Sequence, residues 1–117
     1  MKFTLAALAT LFIATVAYAD SPRVVNVDAS KSGGTWRFDV AIKHADEGWD
    51  HYADGWGVYL PDGTELGYRV LVHPHVNEQP FTRSLEGESI PQGTKSVIIR
   101  PNDKVHGLGE DYIFKLN

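Results

Sequence analysis

The sequence predicts a small all-β domain, an antiparallel β-sandwich of about seven strands. Apolar residues recur with a period of two rather than 3.6. Glycine, proline, asparagine and aspartate interrupt the chain at short intervals, and no segment has the pattern of an amphipathic helix. This spacing is typical of immunoglobulin-like or fibronectin-III-like sandwiches. A small open β-barrel is the alternative architecture.

The first two predicted strands flank a glycine-containing turn. Residues 23–29 form the first strand, and residues 31–34 (Lys-Ser-Gly-Gly) form the turn. The second strand has the clearest alternation in the chain, because every other residue is apolar and most of those between are charged. Such a strand buries one face and exposes the other. Its apolar positions are Trp36, Phe38, Val40 and Ile42.

A β-hairpin is predicted in the middle of the chain. Residues 56–60 and 65–72 alternate in polarity, and residues 61–64 (Pro-Asp-Gly-Thr) separate them. Asp and Gly suit the backbone angles of tight hairpin turns. In the returning strand the apolar row is Leu66, Tyr68, Val70 and Val72.

Three further strands complete the prediction. They cover residues 81–85, 94–100 and 112–116. Residues 101–103 (Pro-Asn-Asp) are predicted to turn the chain, and the glycines of 106–109 indicate a flexible connection.

The N-terminal segment has the pattern of a cleavable signal peptide covering residues 1–19. Lys2 precedes an apolar run over residues 5–16, and Ala17-Tyr18-Ala19 is a small-x-small cleavage site. The apolar run is too short to span a bilayer, which needs about 20 residues. A single domain of residues 20–117 is therefore expected in the periplasm or outside the cell. No cysteine is available for a lipid, so no membrane anchor is expected.

Composition excludes several classes of function. The formal net charge of −4 argues against a nucleic-acid partner, which requires a basic surface, and against docking on anionic membranes. The chain has no cysteine, so disulfides, thiolate metal sites and thiol catalysis are excluded. Stability is expected to come from packing of the aromatic side chains.

The middle of the sequence resembles a group of short exported proteins from Gram-negative bacteria. The similar residues are Gly48-Trp49-Asp50-His51-Tyr52-Ala53-Asp54-Gly55-Trp56, Pro61-Asp62-Gly63, His73-Pro74-His75, the run from Glu78 to Ser84, and His106-Gly107. The resemblance covers most of the chain after residue 19. It implies export and a compact β-domain of immunoglobulin-like or fibronectin-III-like type, and it implies no particular reaction.

All five histidines fall at predicted strand ends or in loops. His73 and His75 flank a proline, and alternate residues of an extended segment point to the same side. Imidazole suits zinc and copper(II), and three or four nitrogen and oxygen ligands are sufficient. The predicted metal site is centred on His73 and His75, with His51, Glu78 or His106 completing it. The alternative is that these histidines are ordinary hydrogen-bonding surface residues.

The loops 44–55 and 73–84 form the predicted recognition surface for an unknown protein or small-molecule ligand. Aromatic side chains give a large contact area with few torsions to immobilise. The alternative for the tryptophans is that they close one end of the sandwich. Arg83 is expected to pair with Glu78 or Asp50, or to receive an anionic ligand. The candidate contact residues are Trp49, Asp50, Tyr52, Trp56 and Arg83.

No motif for catalysis is found. Ser84, His73 and Glu78 contain the residue types of a triad, but the sequence has no Gly-x-Ser-x-Gly nucleophile elbow. A domain of this size rarely forms the deep cleft of a glycosidase. The sequence therefore favours an exported, non-enzymatic binding module, with a periplasmic zinc or copper(II) protein as the alternative.

Overall fold

The computed structural model describes residues 21–116, and within them it contains two antiparallel β-sheets and no helix. The signal peptide predicted over residues 1–19 lies outside the described residues. No helix capable of crossing a membrane is found in the described part. The predicted all-β sandwich is confirmed, and the sheets do not close into a barrel.

The smaller sheet has three strands in the order β1-β2-β5. Strand β1 covers Arg23–Ser32, β2 covers Thr35–Lys43 and β5 covers Phe81–Glu88. Gly33 and Gly34 join β1 to β2 with φ values of 58° and 84°. Glycine adopts such positive φ values without the steric cost that a Cβ atom imposes.

The larger sheet has five strands and contains the predicted hairpin. Strand β3 (Ala53–Tyr59) pairs with β4 (Glu65–Val70) on one side and with β6 (Ser96–Asp103) on the other. Two short strands, β7 (Gly107–Leu108) and β8 (Tyr112–Lys115), both pair with the far side of β6. The predicted flexible connection over 106–109 thus contains a strand.

The core lies between the sheets and follows the period-two pattern. Alternate residues of β2, β3 and β6 point inward and lose all contact with solvent. Trp36 and Phe114 pack their rings against Phe38 from two sides, at centroid distances of 6.2 and 6.4 Å. The side chains of these three strands with no exposed surface include Phe38, Val40, Ile42, Trp56, Val58, Val97 and Ile99.

Two predictions about strand ends are wrong. The apolar row of the hairpin does not stay in the core, because Val70 and Val72 are 60% and 70% exposed while Leu71 is buried. In addition, residues 101–103 do not form a turn. Strand β6 continues through them, with Pro101 and Asp103 buried on the same side as Ile99. Here the turn-forming preference of proline and asparagine is outweighed by the pairing of these residues with β3.

Replacing Phe38 by alanine should lower the free energy of unfolding by about 3–5 kcal/mol, because it leaves a cavity between both sheets. Ile113→Ala is the control, since Ile113 is 70% exposed, and its effect should stay below about 0.5 kcal/mol. Urea denaturation of both variants measures the difference. Equal effects would contradict the assignment of Phe38 to the core.

Candidate metal centre

Two histidines and an aspartate converge at one end of the sandwich. His44, His51 and Asp103 each offer one ligand atom, and these atoms all lie within 4.8 Å of one another. Nε2 of His44 lies 2.7 Å from Oδ2 of Asp103, and Nε2 of His51 lies 2.8 Å from the same oxygen. Among residues 21–116, no other group of three or more such side chains meets this distance. We call these three residues the His-Asp group.

Strand geometry explains how the group forms. His44 follows the last residue of β2 and continues the buried row of Phe38, Val40 and Ile42. Asp103 ends β6 and continues its buried row in the same way. Both side chains therefore point inward, and both have no exposed side-chain surface.

His51 reaches the group through a short closed loop. The backbone N–H of Glu47 donates to the carbonyl of His51, and the N–H of His51 donates to the carbonyl of Gly48. Gly48 has a φ of 95°, which permits this sharp reversal. Only 13% of the His51 side chain is exposed.

Each histidine of the group has a second carboxylate at its other ring nitrogen. Nδ1 of His44 lies 2.5 Å from Oδ1 of Asp46, whose side chain is fully buried. Nδ1 of His51 lies 3.3 Å from Oε1 of Glu47. Metal-binding histidines commonly have this outer arrangement, because a carboxylate at the distal nitrogen fixes the ring and increases its basicity.

The charged forms of His51 and Asp103 stabilise each other. Burial opposes protonation of His51, but its hydrogen bonds to Asp103 and Glu47 outweigh burial, and the pKa of His51 is raised. Burial likewise opposes ionisation of Asp103. Hydrogen bonds from the N–H of Val105, the His51 ring and the N–H of His106 outweigh it, so the pKa of Asp103 is lowered. Asp103 is thus a carboxylate, the form that binds a metal ion.

A ring of hydrogen bonds joins the His-Asp group to the segment 75–79. The N–H of His44 donates to Oε1 of Gln79 at 2.9 Å, and Nε2 of Gln79 donates to the carbonyl of His75 at 2.7 Å. The N–H of His75 donates to Oδ2 of Asp46 at 2.7 Å. Asp46 closes the ring through its contact with His44, so these two segments are held in one position.

The histidines predicted from sequence are placed in two different surroundings. His51 belongs to the His-Asp group, and the exposed His106 lies beside it, with ring centroids 5.1 Å apart. His73 and His75 lie next to each other, 4.5 Å apart between centroids, but outside the group. His44 and His75 are only 2% and 6% exposed, so these two histidines are buried and are not surface residues.

Glu78 and Arg83 form the ion pair expected from sequence, with Oε1 of Glu78 at 3.1 Å from Nη1 of Arg83. Nη2 of Arg83 also lies 2.9 Å from Nε2 of His75. An arginine only donates, so this nitrogen of His75 accepts. Burial, followed by the charge of Arg83, lowers the pKa of His75, and the ring is neutral.

The contact residues predicted from sequence differ in their exposure. Trp49 is 63% exposed, Asp50 is exposed, and Tyr52 is half-buried with its ring against Trp49. Trp56 has no exposed surface and packs in the core.

Sequence reasoning missed His44, Asp46 and Asp103. A signal for two of them was present, because His44 and Asp103 stand two residues beyond a buried apolar row. A polar residue in that position points to the interior end of a sheet, where it needs a polar partner.

Comparison with known proteins finds a relative from an archaeon. The chain is 44% identical over 87 residues to a protein of Halomicrobium mukohataei named "Putative lipoprotein". The match covers 74% of this chain, which spans 42% of the relative's length. No protein-family model matches the chain.

Among solved structures, the fold is similar to superoxide reductase from Giardia intestinalis. The TM-score is 0.46 and the identity 18%, over 77% of this chain and 95% of that chain. The sequence prediction that the chain is not an enzyme is contradicted by this comparison, because the similar structure is that of an enzyme. At this level of similarity no reaction and no residue role is transferred.

The resemblance to a Gram-negative bacterial group with an immunoglobulin-like or fibronectin-III-like sandwich is not supported. The relative that the comparison found is from a halophilic archaeon.

Proposed function

We propose that this protein binds a divalent first-row transition metal ion through Nε2 of His44, Nε2 of His51 and a carboxylate oxygen of Asp103. The observation that carries the proposal is their convergence within 4.8 Å, although Asp103 lies 52 residues beyond His51. Ligand atoms that bind the same zinc ion, each at about 2.0–2.2 Å, lie about 3–4 Å from one another. The contacts of 2.7 and 2.8 Å therefore need to open by only a few tenths of an ångström.

The donor set indicates which metals suit the site. Two imidazoles and a carboxylate fit zinc, copper(II) and iron(II), whereas the absence of thiolates disfavours copper(I). Two histidines with one carboxylate also leave coordination positions open to a further ligand. His106 is the side chain best placed to approach from the exposed side, next to His51.

His73, His75 and Glu78, the centre of the site expected from sequence, are proposed to line the neighbouring surface instead. Nε2 of His75 already accepts from Arg83, and Glu78 pairs with the same guanidinium. A metal ion here would have to displace a cation from both side chains, which makes the His-Asp group the better candidate.

A second candidate function is recognition of a ligand by the loops 44–55 and 73–84. Trp49 and Arg83 line one open groove of about 530 Å³, which favours this proposal. The volume falls in the range of small-molecule sites.

We also propose that the protein is exported, supported by the signal pattern of residues 1–19 and by the lipoprotein name of the archaeal relative.

Addition of zinc, copper(II) or, without oxygen, iron(II) to the purified protein should raise its stability by linkage. At a hundredfold excess of free metal over the dissociation constant the gain is about 2.7 kcal/mol. The gain should disappear in His44→Ala and remain in His73→Ala, the matched histidine outside the group. Chemical denaturation at fixed free metal measures it. The proposal would be contradicted if none of the three metals increased the free energy of unfolding. It would also be contradicted if the increase disappeared in His73→Ala but remained in His44→Ala.

Replacing Asp46 by asparagine should weaken metal binding by about 10–100-fold, because Asp46 orients His44 without binding the ion. Isothermal titration of the folded variant measures the dissociation constant. Glu47→Gln provides the comparison, since Glu47 is 63% exposed and its contact with His51 is long at 3.3 Å, so its effect should be smaller. Unchanged affinity in Asp46→Asn would exclude the proposed outer role.

Acidification below the ordinary histidine pKa of 6.5 should remove the stability that neutral His75 contributes. The pKa of His75 is lowered in the folded state, so the unfolded chain takes up the proton first as the pH falls. The free energy of unfolding of metal-free protein should therefore decline more steeply between pH 6.5 and about pH 5 than that of His75→Gln. If the free energies of unfolding of the two proteins declined in parallel with pH, His75 would not be held neutral.

A further inference from the structure

The groove next to the metal centre has its own lining, distinct from the His-Asp group. Its lining includes Trp49, His73, His75, Asn77, Glu78 and Arg83. None of the three metal-ligand candidates lines it. Hydrogen bonds from His75 to Asp46, from Gln79 to His75 and from His51 to the carbonyl of Gly48 connect the two sites.

Trp49 is held rigidly although most of it is exposed. Nζ of Lys104 donates to the carbonyl of Trp49 at 2.8 Å, and the ring of Tyr52 packs edge-on at 5.9 Å between centroids. Nζ of Lys104 also lies 5.6 Å from the centre of the Tyr52 ring. With 63% of the residue exposed, the indole presents an apolar surface whose position is already fixed. A ligand that stacks there need not immobilise it on binding.

The lining of the same groove also includes planar hydrogen-bonding groups. Arg83 is fixed by Glu78, by the carbonyl of Thr82 at 2.7 Å and by His75. One oxygen of Glu78 contacts Arg83 and the other remains available, because the side chain is 58% exposed. Asn77 is exposed and lies in the same lining, so it can both donate and accept.

An aromatic face in the same groove as a carboxylate and an amide matches the chemistry of a sugar ring. The C–H face of a sugar packs on an indole, and its neighbouring hydroxyls pair with carboxylate and amide groups. A polyanion is disfavoured by the net charge of −4, and Arg83 is already engaged by Glu78. An open groove does not remove enough water to hold a purely apolar ligand.

We propose that this groove binds a neutral carbohydrate, with one sugar residue stacked on Trp49 and its hydroxyls hydrogen-bonded to Glu78 and Asn77. The inference deepens the proposed recognition role of loops 44–55 and 73–84, and it is independent of the metal. The proposed sugar contacts use none of the three proposed metal ligands.

Cellotetraose, maltotetraose and an N-acetylglucosamine trimer serve as probes, each titrated to about 10 mM while tryptophan fluorescence and amide chemical shifts are recorded. At least one should bind saturably, with a dissociation constant of about 0.1–1 mM. Trp49→Ala should weaken it at least about tenfold, and Trp49→Phe should retain part of the affinity. Leu108→Ala is the control, because Leu108 is 60% exposed and lies outside the groove.

Three results would overturn the carbohydrate proposal. They are no saturable change with any probe, binding that is unaffected by Trp49→Ala, and tighter Trp49-dependent binding of an uncharged peptide of valine and proline. The last result would keep the groove as a recognition surface while excluding sugar as its ligand. Sugar titrations with and without an excess of metal chelator should give the same dissociation constant, so failure of the metal proposal and failure of this inference are told apart.

Discussion

The pairing of β3 with β6 is the constraint on which the rest of this site depends. It places Ala53 opposite Asp103, and the N–H of Ala53 donates to Oδ1 of Asp46 at 3.0 Å. Both buried carboxylates are thereby fixed on either side of His44. Buried charges are costly unless they are paired and hydrogen-bonded, and here each carboxylate accepts several hydrogen bonds. A change of register between these strands would move Asp103 away from His44 and His51.

Much of the fold could be predicted from sequence, because period-two burial directly reports which face of a strand is covered. The alternation of Trp36, Phe38, Val40 and Ile42, and the Asp-Gly turn of the hairpin, were sufficient to place β2, β3 and β4. Where prediction failed, pairing outweighed local preference. Pro101 and Asp103 have turn-forming residue types, yet β6 extends through them because β3 supplies its partners.

The site was less predictable, since it depends on which strand ends meet in space. His73 and His75 are close in sequence and remain close in the fold, but Arg83 occupies the nitrogen that a metal would need. His44 and Asp103 are far apart in sequence, and only the stacking of two sheets brings them to 2.7 Å. Sequence spacing therefore indicated histidine-rich loops correctly, while the long-range contact could not be read from it.

The wide separation of Asp103 from the two histidines along the chain has a consequence for the order of events during maturation. Asp103 comes from a strand that pairs only after the second half of the chain has been made, 52 residues beyond His51. A polypeptide exported in an unfolded state, as proposed, would carry no preformed site of this kind, so the proposed metal ion would be selected after folding, from the ions of the compartment that the chain reaches. The composition of that compartment, rather than affinity alone, would then decide which ion the proposed site holds.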